Sequence, residues 1–386
     1  MASTPSIDNP GVLVSICIPT LNRGHLIGET LESIVSQACE QLEVVIVDGG
    51  STDNTQDVVA EYQRRFPGLR YFKTVQESQS STSDSPSNRG FDQDCDRAVQ
   101  FARGAYCWLF TDDDIMKPGA IAEVLRAARQ DFQLIVVNAD VYTTDMSRVL
   151  ELSRLKLASD RVFEANEYQD LFALVGAYLS FVGGVVVRRD LWLSRNKQPY
   201  LGSGFIHVGT VFQAPLPGKA LVISRPGVSI RYGDAQYMRS ARYFVIWMFT
   251  WPTLIWNFAH YSDVVKRQVC HKEPFRRIRS LLLHRAIGAY SHREYDGWLK
   301  PRLRGRAERL TARFIALFPG VLANFLGVAY YYLSGNPPGQ FLLDLQKSPY
   351  YFARRSRRSE PAATANRKRV VAVSAKTPIK DARDEC

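Results

Sequence analysis

Cysteine is scarce and unpaired in this 386-residue chain: Cys17, Cys39, Cys95, Cys107, Cys270 and Cys386 are scattered, with no CxxC pair. That spacing argues against a zinc cluster or a disulfide framework and leaves reduced, mostly buried thiols as the expectation. The N-terminal MASTPSIDNPG lacks a basic stretch followed by an apolar one. It does not read as a secretory signal, and the N-terminal half is expected to stay in the cytoplasm. No internal repeat is evident, and the first apolar run is not followed by the Gly-rich, Arg/Lys-bearing loop that cradles a triphosphate.

What is present is an ordinary globular composition, 46% hydrophobic and 23% charged, far from the signature of disorder. The net charge of +11 is unevenly distributed. Residues 1–235 carry 22 Lys+Arg against 28 Asp+Glu, and the remainder carries 27 against 10. An acidic half is thus joined to a strongly basic, aromatic-rich one, which is expected to meet an anionic surface, lipid headgroups or nucleic acid; a solvated basic face is the plain alternative.

Val12–Pro19 (VLVSICIP) and Leu42–Val47 (LEVVIV) read as buried strands, each followed by a stretch at helical spacing. Repeated strand and helix units of this length predict an α/β fold, a mostly parallel sheet with helices on both faces. Ligands of such sheets sit at the carboxyl ends of the strands. Those ends are Pro19–Arg23, Asp48–Asp53 and, after the apolar run Tyr106–Phe110, Asp112–Asp114. Leu134–Asn138 and Gly183–Val187 read as further core strands, and Gln76–Arg89 as a Ser-rich loop.

Three consecutive aspartates after a strand concentrate charge where a divalent cation with hard oxygen ligands, Mn2+ or Mg2+, would neutralise it. An acidic cap on the next helix accounts for one aspartate but hardly for three. Asp48 sits one residue past a buried strand, where it can accept from a base or ribose, or simply serve the turn beside Ser51 and Asp53.

Taken together, ICIPTLNR, VVIVDGGSTDNT and WLFTDDDIMKPGAI resemble the successive signatures of the family 2 glycosyltransferases of GT-A fold. GFDQDCDRAV from Gly90 and ARGAYCWLF from Ala102 further resemble the abequosyltransferase-like subgroup of bacterial O-antigen and capsule enzymes. The resemblance covers about residues 1–235. It implies that Pro19, Thr20, Asn22 and Arg23 line the nucleotide pocket and that Asp48 contacts the base, with Gly49, Ser51, Asp53 and Asp94 also on the donor side. It further implies that the run Asp112, Asp113, Asp114 supplies the DxD-type metal site, with Asp113 favoured by the downstream Pro118. Gly49 stands where many members carry a second acidic or amide residue.

An inverting transferase needs a general base, usually a carboxylate near the end of this domain. The corresponding GSGFIHVG has none, so His207 is the candidate, against the alternative of a histidine bonded in the wall. Arg231, where the domain ends, is expected to steady the leaving diphosphate.

Residues 236–352 are expected to be a helical, basic, membrane-associating region, and 353–386 a disordered basic tail. Within that region Tyr243–Phe258 is apolar and Trp-rich, and Phe314–Leu333 has twenty residues without a charge. A re-entrant or interfacial helix is the reading preferred over a spanning one, with a buried core helix pair as the alternative. The function implied is transfer of a sugar from a nucleotide-diphosphate sugar to a saccharide, polyprenyl-linked or not, at the cytoplasmic face of the inner membrane, with no nucleic acid partner. Two other readings are a sugar nucleotidyltransferase and a non-catalytic membrane- or RNA-binding protein with a degenerate GT-A domain.

Overall fold

The computed structural model describes residues 11–74, 89–233, 241–335 and 339–353. The stretch 76–88, the expected domain boundary at 235 and the tail from 354 onward lie outside the described residues.

The chain runs β1 (Val14–Thr20), α1 (Ile27–Val35), β2 (Leu42–Asp48), α2 (Thr55–Arg65), β3 (Leu69–Lys73), α3 (Arg89–Phe101), β4 (Tyr106–Leu109), β5 (Ile115–Met116), α4 (Ala120–Ala128) and β6 (Leu134–Tyr142). It continues through β7 (Val149–Glu151), β8 (Arg161–Phe163), α5 (Tyr168–Val175), β9 (Val185–Arg188), α6 (Arg189–Ser194), α7 (Ile206–Phe212) and β10 (Ala220–Arg231). The C-terminal part holds α8 (Ala241–Val245), α9 (Trp251–Trp256), α10 (Asp263–Val269), α11 (Ile278–Ile287), α12 (His292–Glu294), α13 (Arg306–Leu317), α14 (Gly320–Leu333) and α15 (Gly339–Lys347).

Among the described residues ten strands form one sheet in the order β3-β2-β1-β4-β9-β6-β10-β5, with β7 beside β6 and β8 beside β10. Every residue of β1 and β2 is buried, which is why their sequences are largely apolar and do not alternate; the polar pair Ser15 and Glu43 inside them bond to each other at 2.6 Å. On α1, Ile27, Thr30, Leu31 and Ile34 face the core at helical spacing. Strands β3, β2, β1 and β4 are parallel. Right-handed crossovers put α1 and α2 on one face, while α3, returning from β3 past β2 and β1 to β4, must lie on the other. The direction of progression therefore reverses between β1 and β4, and that reversal opens a crevice at their carboxyl ends.

The sheet is more mixed than a run of βαβ units implies. Strand β9 is inserted antiparallel to both β4 and β6, and β10 returns parallel to β6. Pro226 is tolerated within β10 because the register slips on both sides of it.

The core of the sheet continues past residue 235. Trp251, Leu254, Ile255, Phe258 and Tyr261 are buried in the same cluster as the sheet. Phe172 of α5 lies 4.3 Å, ring to ring, from Tyr261 and 5.7 Å from Phe258, and Phe205 lies 4.7 Å from Trp251. The apolar stretch Tyr243–Phe258 thus packs largely against protein. Two smaller clusters follow, one joining Phe244, Phe275, Tyr290 and Ile315, the other joining Ala286, Ala323, Val328 and Leu345. Phe314–Leu333 is not one helix: Pro319 breaks it, and α13 and α14 meet at 93°. Among the described residues no single helix is long and apolar enough to cross a membrane. Finally, α15 returns to the sheet edge, where Asp344 accepts from the Tyr232 hydroxyl at 2.8 Å and Lys347 donates to Thr144 Oγ1 at 2.6 Å and to the Gly233 carbonyl at 3.0 Å.

One shared core has a measurable consequence. Phe258→Ala removes a ring packed beneath α5 and is expected to destabilise the sheet region itself by about 3–5 kcal/mol. Denaturant unfolding followed by a probe on β1 or β2 checks it; an unchanged midpoint would separate the two halves.

Candidate active site

The loops after β1 and β2 are laced together at the crevice. Thr20 and Asp48 are register partners at the two strand ends. Beyond Thr20 the chain turns through Asn22 in the left-handed region, with φ of 54°. The Asn22 amide donates to Ser51 Oγ at 2.8 Å, and its side-chain oxygen accepts from the Thr52 amide at 2.8 Å. The Arg23 amide donates to Thr55 Oγ1 at 3.0 Å, and the Gly24 amide to Asp53 Oδ2 at 3.0 Å. A Cβ on Gly24 would fall 2.9 Å from the Thr55 nitrogen, so a side chain here would prise the loops apart.

Asn22, Ser51 and Asp53 therefore act on one another and shape the wall. Asp48 does the same from within: fully buried, it accepts from the Gly50 and Ser51 amides at 2.9 and 2.6 Å and from the Tyr71 hydroxyl at 2.5 Å. The expected contact with a base has no exposed Asp48 oxygen to make it.

Beside it, Gly49 leaves room for a carboxylate from another element. A Cβ built on Gly49 would lie 2.9 Å from Asp94 Oδ2, so α3 delivers an acid into the space next to Asp48. Burial pushes the Asp94 carboxyl up to about 6, with Arg97 opposing and Asp48 adding to the shift.

The aspartate run leaves β4 opposite these loops, and its members diverge. Asp114 turns inward, where its carboxylate accepts from the Arg231 amide at 2.8 Å and the Thr111 hydroxyl at 2.5 Å, while its carbonyl accepts from Thr30 Oγ1 at 2.9 Å. Both carboxylate oxygens accept from protein groups, and the residue is 2% exposed. Asp112 and Asp113 face the crevice, their side chains 13% and 15% exposed, and Arg23 reaches both at 3.5 and 3.4 Å. Burial and the charge of Asp113 push the Asp112 carboxyl up to about 7, while Arg23 and the Thr20 hydroxyl pull it back. Pro19, one residue inside the end of β1, completes this wall.

The Arg231 side chain, expected beside a diphosphate, is 4% exposed and turned to protein groups. Its guanidinium donates to the Asp113 carbonyl and the Thr144 carbonyl at 2.8 Å each and to Glu29 at 2.5 Å. It positions the acidic run from behind. The sequence hid this because a lone arginine at a strand end does not declare which way it folds.

His207 is likewise displaced from the role expected of it. The side chain is 1% exposed, and Nε2 lies 2.8 Å from the Leu179 carbonyl, which can only accept, so Nε2 carries the proton. Burial lowers its basicity to about 4. The remaining lone pair on Nδ1 is enclosed, with no hydrogen-bond partner among the described residues. An imidazole so placed supports the wall and does not meet an acceptor hydroxyl.

Asp92 carries a function that motif reading missed. Fully buried on α3, it accepts from the Gly204 and Ile206 amides at 2.9 and 3.3 Å and holds the turn before α7. Its spacing of two from Asp94 was the available signal, since the two acids bind different loops from one helix.

Among the described residues no group of three His, Cys, Asp or Glu side chains is arranged to hold a metal. The carboxylates of Asp112 and Asp113 are hard oxygen donors, of the kind that suits a divalent cation.

Residues 15–171 match the sequence model described as Glycosyl transferase family 2. Over 237 residues the chain is 26% identical to abequosyltransferase RfbV of Salmonella typhimurium, covering 58% of this chain and 67% of that protein. Over 125 residues it is 27% identical to the GalNAc(5)-diNAcBac-PP-undecaprenol beta-1,3-glucosyltransferase of Campylobacter jejuni, covering 32% of this chain and 37% of that one. S. aureus TarS 1-349 superposes with a TM-score of 0.49 at 12% identity, covering 89% of this chain and 92% of that chain. The span that matches glycosyl transferase family 2 thus includes both strand-end loops and the aspartate run.

Proposed function

We propose that this protein transfers a sugar from a nucleoside-diphosphate sugar, held with Mn2+ or Mg2+ at Asp112 and Asp113, to a saccharide acceptor carried on a polyprenyl lipid, in bacterial surface polysaccharide synthesis. The observation that carries this reading is the pair of crevice-facing carboxylates bridged by Arg23. The Salmonella relative supports the polysaccharide context and the Campylobacter relative the lipid-linked acceptor. Such an acceptor would place the reaction at the cytoplasmic membrane face.

When bound, the cation would offset the charge that collects on the departing diphosphate. The chain's own residues prepare that event. Arg23 balances the acidic pair and lies within reach of a phosphate oxygen. The laced loops of Asn22, Ser51 and Asp53 give the nucleotide a rigid wall. Asp94, poised by burial beside Gly49, accepts from a base or ribose. Inversion at the anomeric carbon is the expected stereochemistry, and the proton acceptor is assigned to no residue, because His207 is enclosed. A purely binding role would leave the two crevice-facing carboxylates without purpose, and a nucleotidyltransferase would need the triphosphate loop that is missing after β1.

Incubation of the purified chain with UDP-, GDP-, CDP- and TDP-sugars and Mn2+ tests the reading through a donor-dependent rise in melting temperature. Asp113→Ala is expected to lower transfer by at least about 100-fold with unchanged thermal melting in the absence of metal. Equal activity with chelator present would remove the metal from the scheme. Asp94→Asn is expected to raise the donor KM by about tenfold with kcat little changed.

The pH dependence has a definite sign. Because the Asp112 carboxyl is raised to about 7, the metal-free native chain holds more protons than the unfolded chain between about pH 4 and 7, and this group's contribution to stability falls as pH rises through that window. A cation needs the ionised form, so the increase in melting temperature on adding Mn2+ should be larger at pH 8 than at pH 6. A calorimetric series across that range checks it, and a pH-independent increment would overturn it.

A further inference from the structure

Helices α13 and α14 are apolar on two sides. Their inner sides are in use: Ala312, Ile315 and Ala316 join one core cluster, and Ala323 and Val328 another. Their outer sides are bare. Leu310, Phe314 and Leu317 on α13, spaced for one helix face, and Leu322, Phe325 and Leu326 on α14 are between 52% and 68% exposed. Asn324, the amide in the middle of α14, points inward instead, donating to the carbonyls of Ala286 and Leu345 at 3.1 and 2.9 Å. A helix facing water would reverse that arrangement.

The surroundings of this face are basic. From Arg276 to Arg313 there are 11 Lys+Arg against 3 Asp+Glu, and Arg304, Arg306, Arg309 and Arg313 are exposed. Arg279 sits 5.1 Å from the ring centre of the exposed Tyr330 and donates to its hydroxyl at 2.5 Å. Exposed leucine and phenylalanine bordered by arginine and tyrosine match the layering of a bilayer boundary: acyl chains, then anionic phosphates. At 12 and 14 residues, the helices are about 18 and 21 Å long, short of a hydrocarbon core of about 30 Å. Bent at 93°, the pair makes a blunt wedge.

We propose that the α13–α14 wedge seats in one leaflet of an anionic membrane, with its leucine and phenylalanine face among the acyl chains and the surrounding arginines on lipid phosphates. The wedge dips into one leaflet and does not span. This deepens the membrane-facing part of the proposed function and rests on it only for biological context, because binding can be read without any sugar transfer.

The test is flotation of the full chain with vesicles of phosphatidylcholine alone and of phosphatidylcholine containing phosphatidylglycerol. The wild type is expected to float with the anionic vesicles, less with the neutral ones, and progressively less as salt is raised. Leu322→Glu with Phe325→Glu should lower the floated fraction by at least about tenfold while leaving thermal melting and the donor-induced melting shift in place. A Leu326→Trp variant gives a second readout: the emission it adds over the wild type should be quenched by brominated acyl chains in the anionic vesicles. A wild type that stays in solution with both vesicles would overturn the proposal, as would an added indole that stays unquenched or a double variant that floats normally. A wild-type dimer dissociated by the double substitution would also overturn it, by showing the face to be a contact between copies. Loss of flotation with an intact donor shift separates this surface from the donor site, whereas loss of the donor shift alone would sink the transferase reading and leave the wedge standing.

Discussion

Repulsion among three adjacent carboxylates sets the terms for the whole crevice. Asp112, Asp113 and Asp114 cannot all point the same way at a buried strand end without one of them taking up a proton or meeting a cation. The protein divides them. Arg231 draws Asp114 and the run's backbone to the inner side, and Arg23 draws Asp112 and Asp113 toward the crevice. Each arginine arrives from a different strand end, β10 and β1: β1 lies beside β4, where the run begins, and β10 pairs with β5, where it ends, so the sheet order makes the charge distribution possible.

The two strand-end loops contribute rigidity. Their side chains are satisfied by one another, so Asn22, Ser51, Asp53 and Asp48 define a shape more than they offer ligands. The charge that a substrate would meet is concentrated in Arg23, Asp94, Asp112 and Asp113. Helix α3 links the two sides of the crevice, with Asp94 at the β2 loop and Asp92 at the turn before α7.

Much of this was legible in the amino-acid order. Strands buried on both faces produce the largely apolar runs of β1 and β2, and turn chemistry marks their ends, so the convergence of three polar clusters on one edge follows from pattern alone. The direction of β9 does not: VVVR looks the same run either way, and only its neighbours decide. The partners of His207 and Arg231 were not legible, because a side chain's distant partners leave no local trace. The partner of Tyr243–Phe258 left no trace for a related reason, since tryptophan and leucine bury equally well against lipid or against other protein elements. Proline at 319 marked the break in the C-terminal apolar run, but the 93° angle comes from the packing of two separate clusters.

The hydrogen bonds of α15 have a geometric consequence. Asp344 and Lys347 bolt that helix to Tyr232, Thr144 and Gly233, a few residues from Arg231, while Leu345 and Gly327 bring it against α14. The crevice and the helix pair are thereby joined through α15. Any acceptor anchored in a surface that this pair rests on would have to present its hydroxyl at one set height, and its length would become a selection rule independent of sugar chemistry.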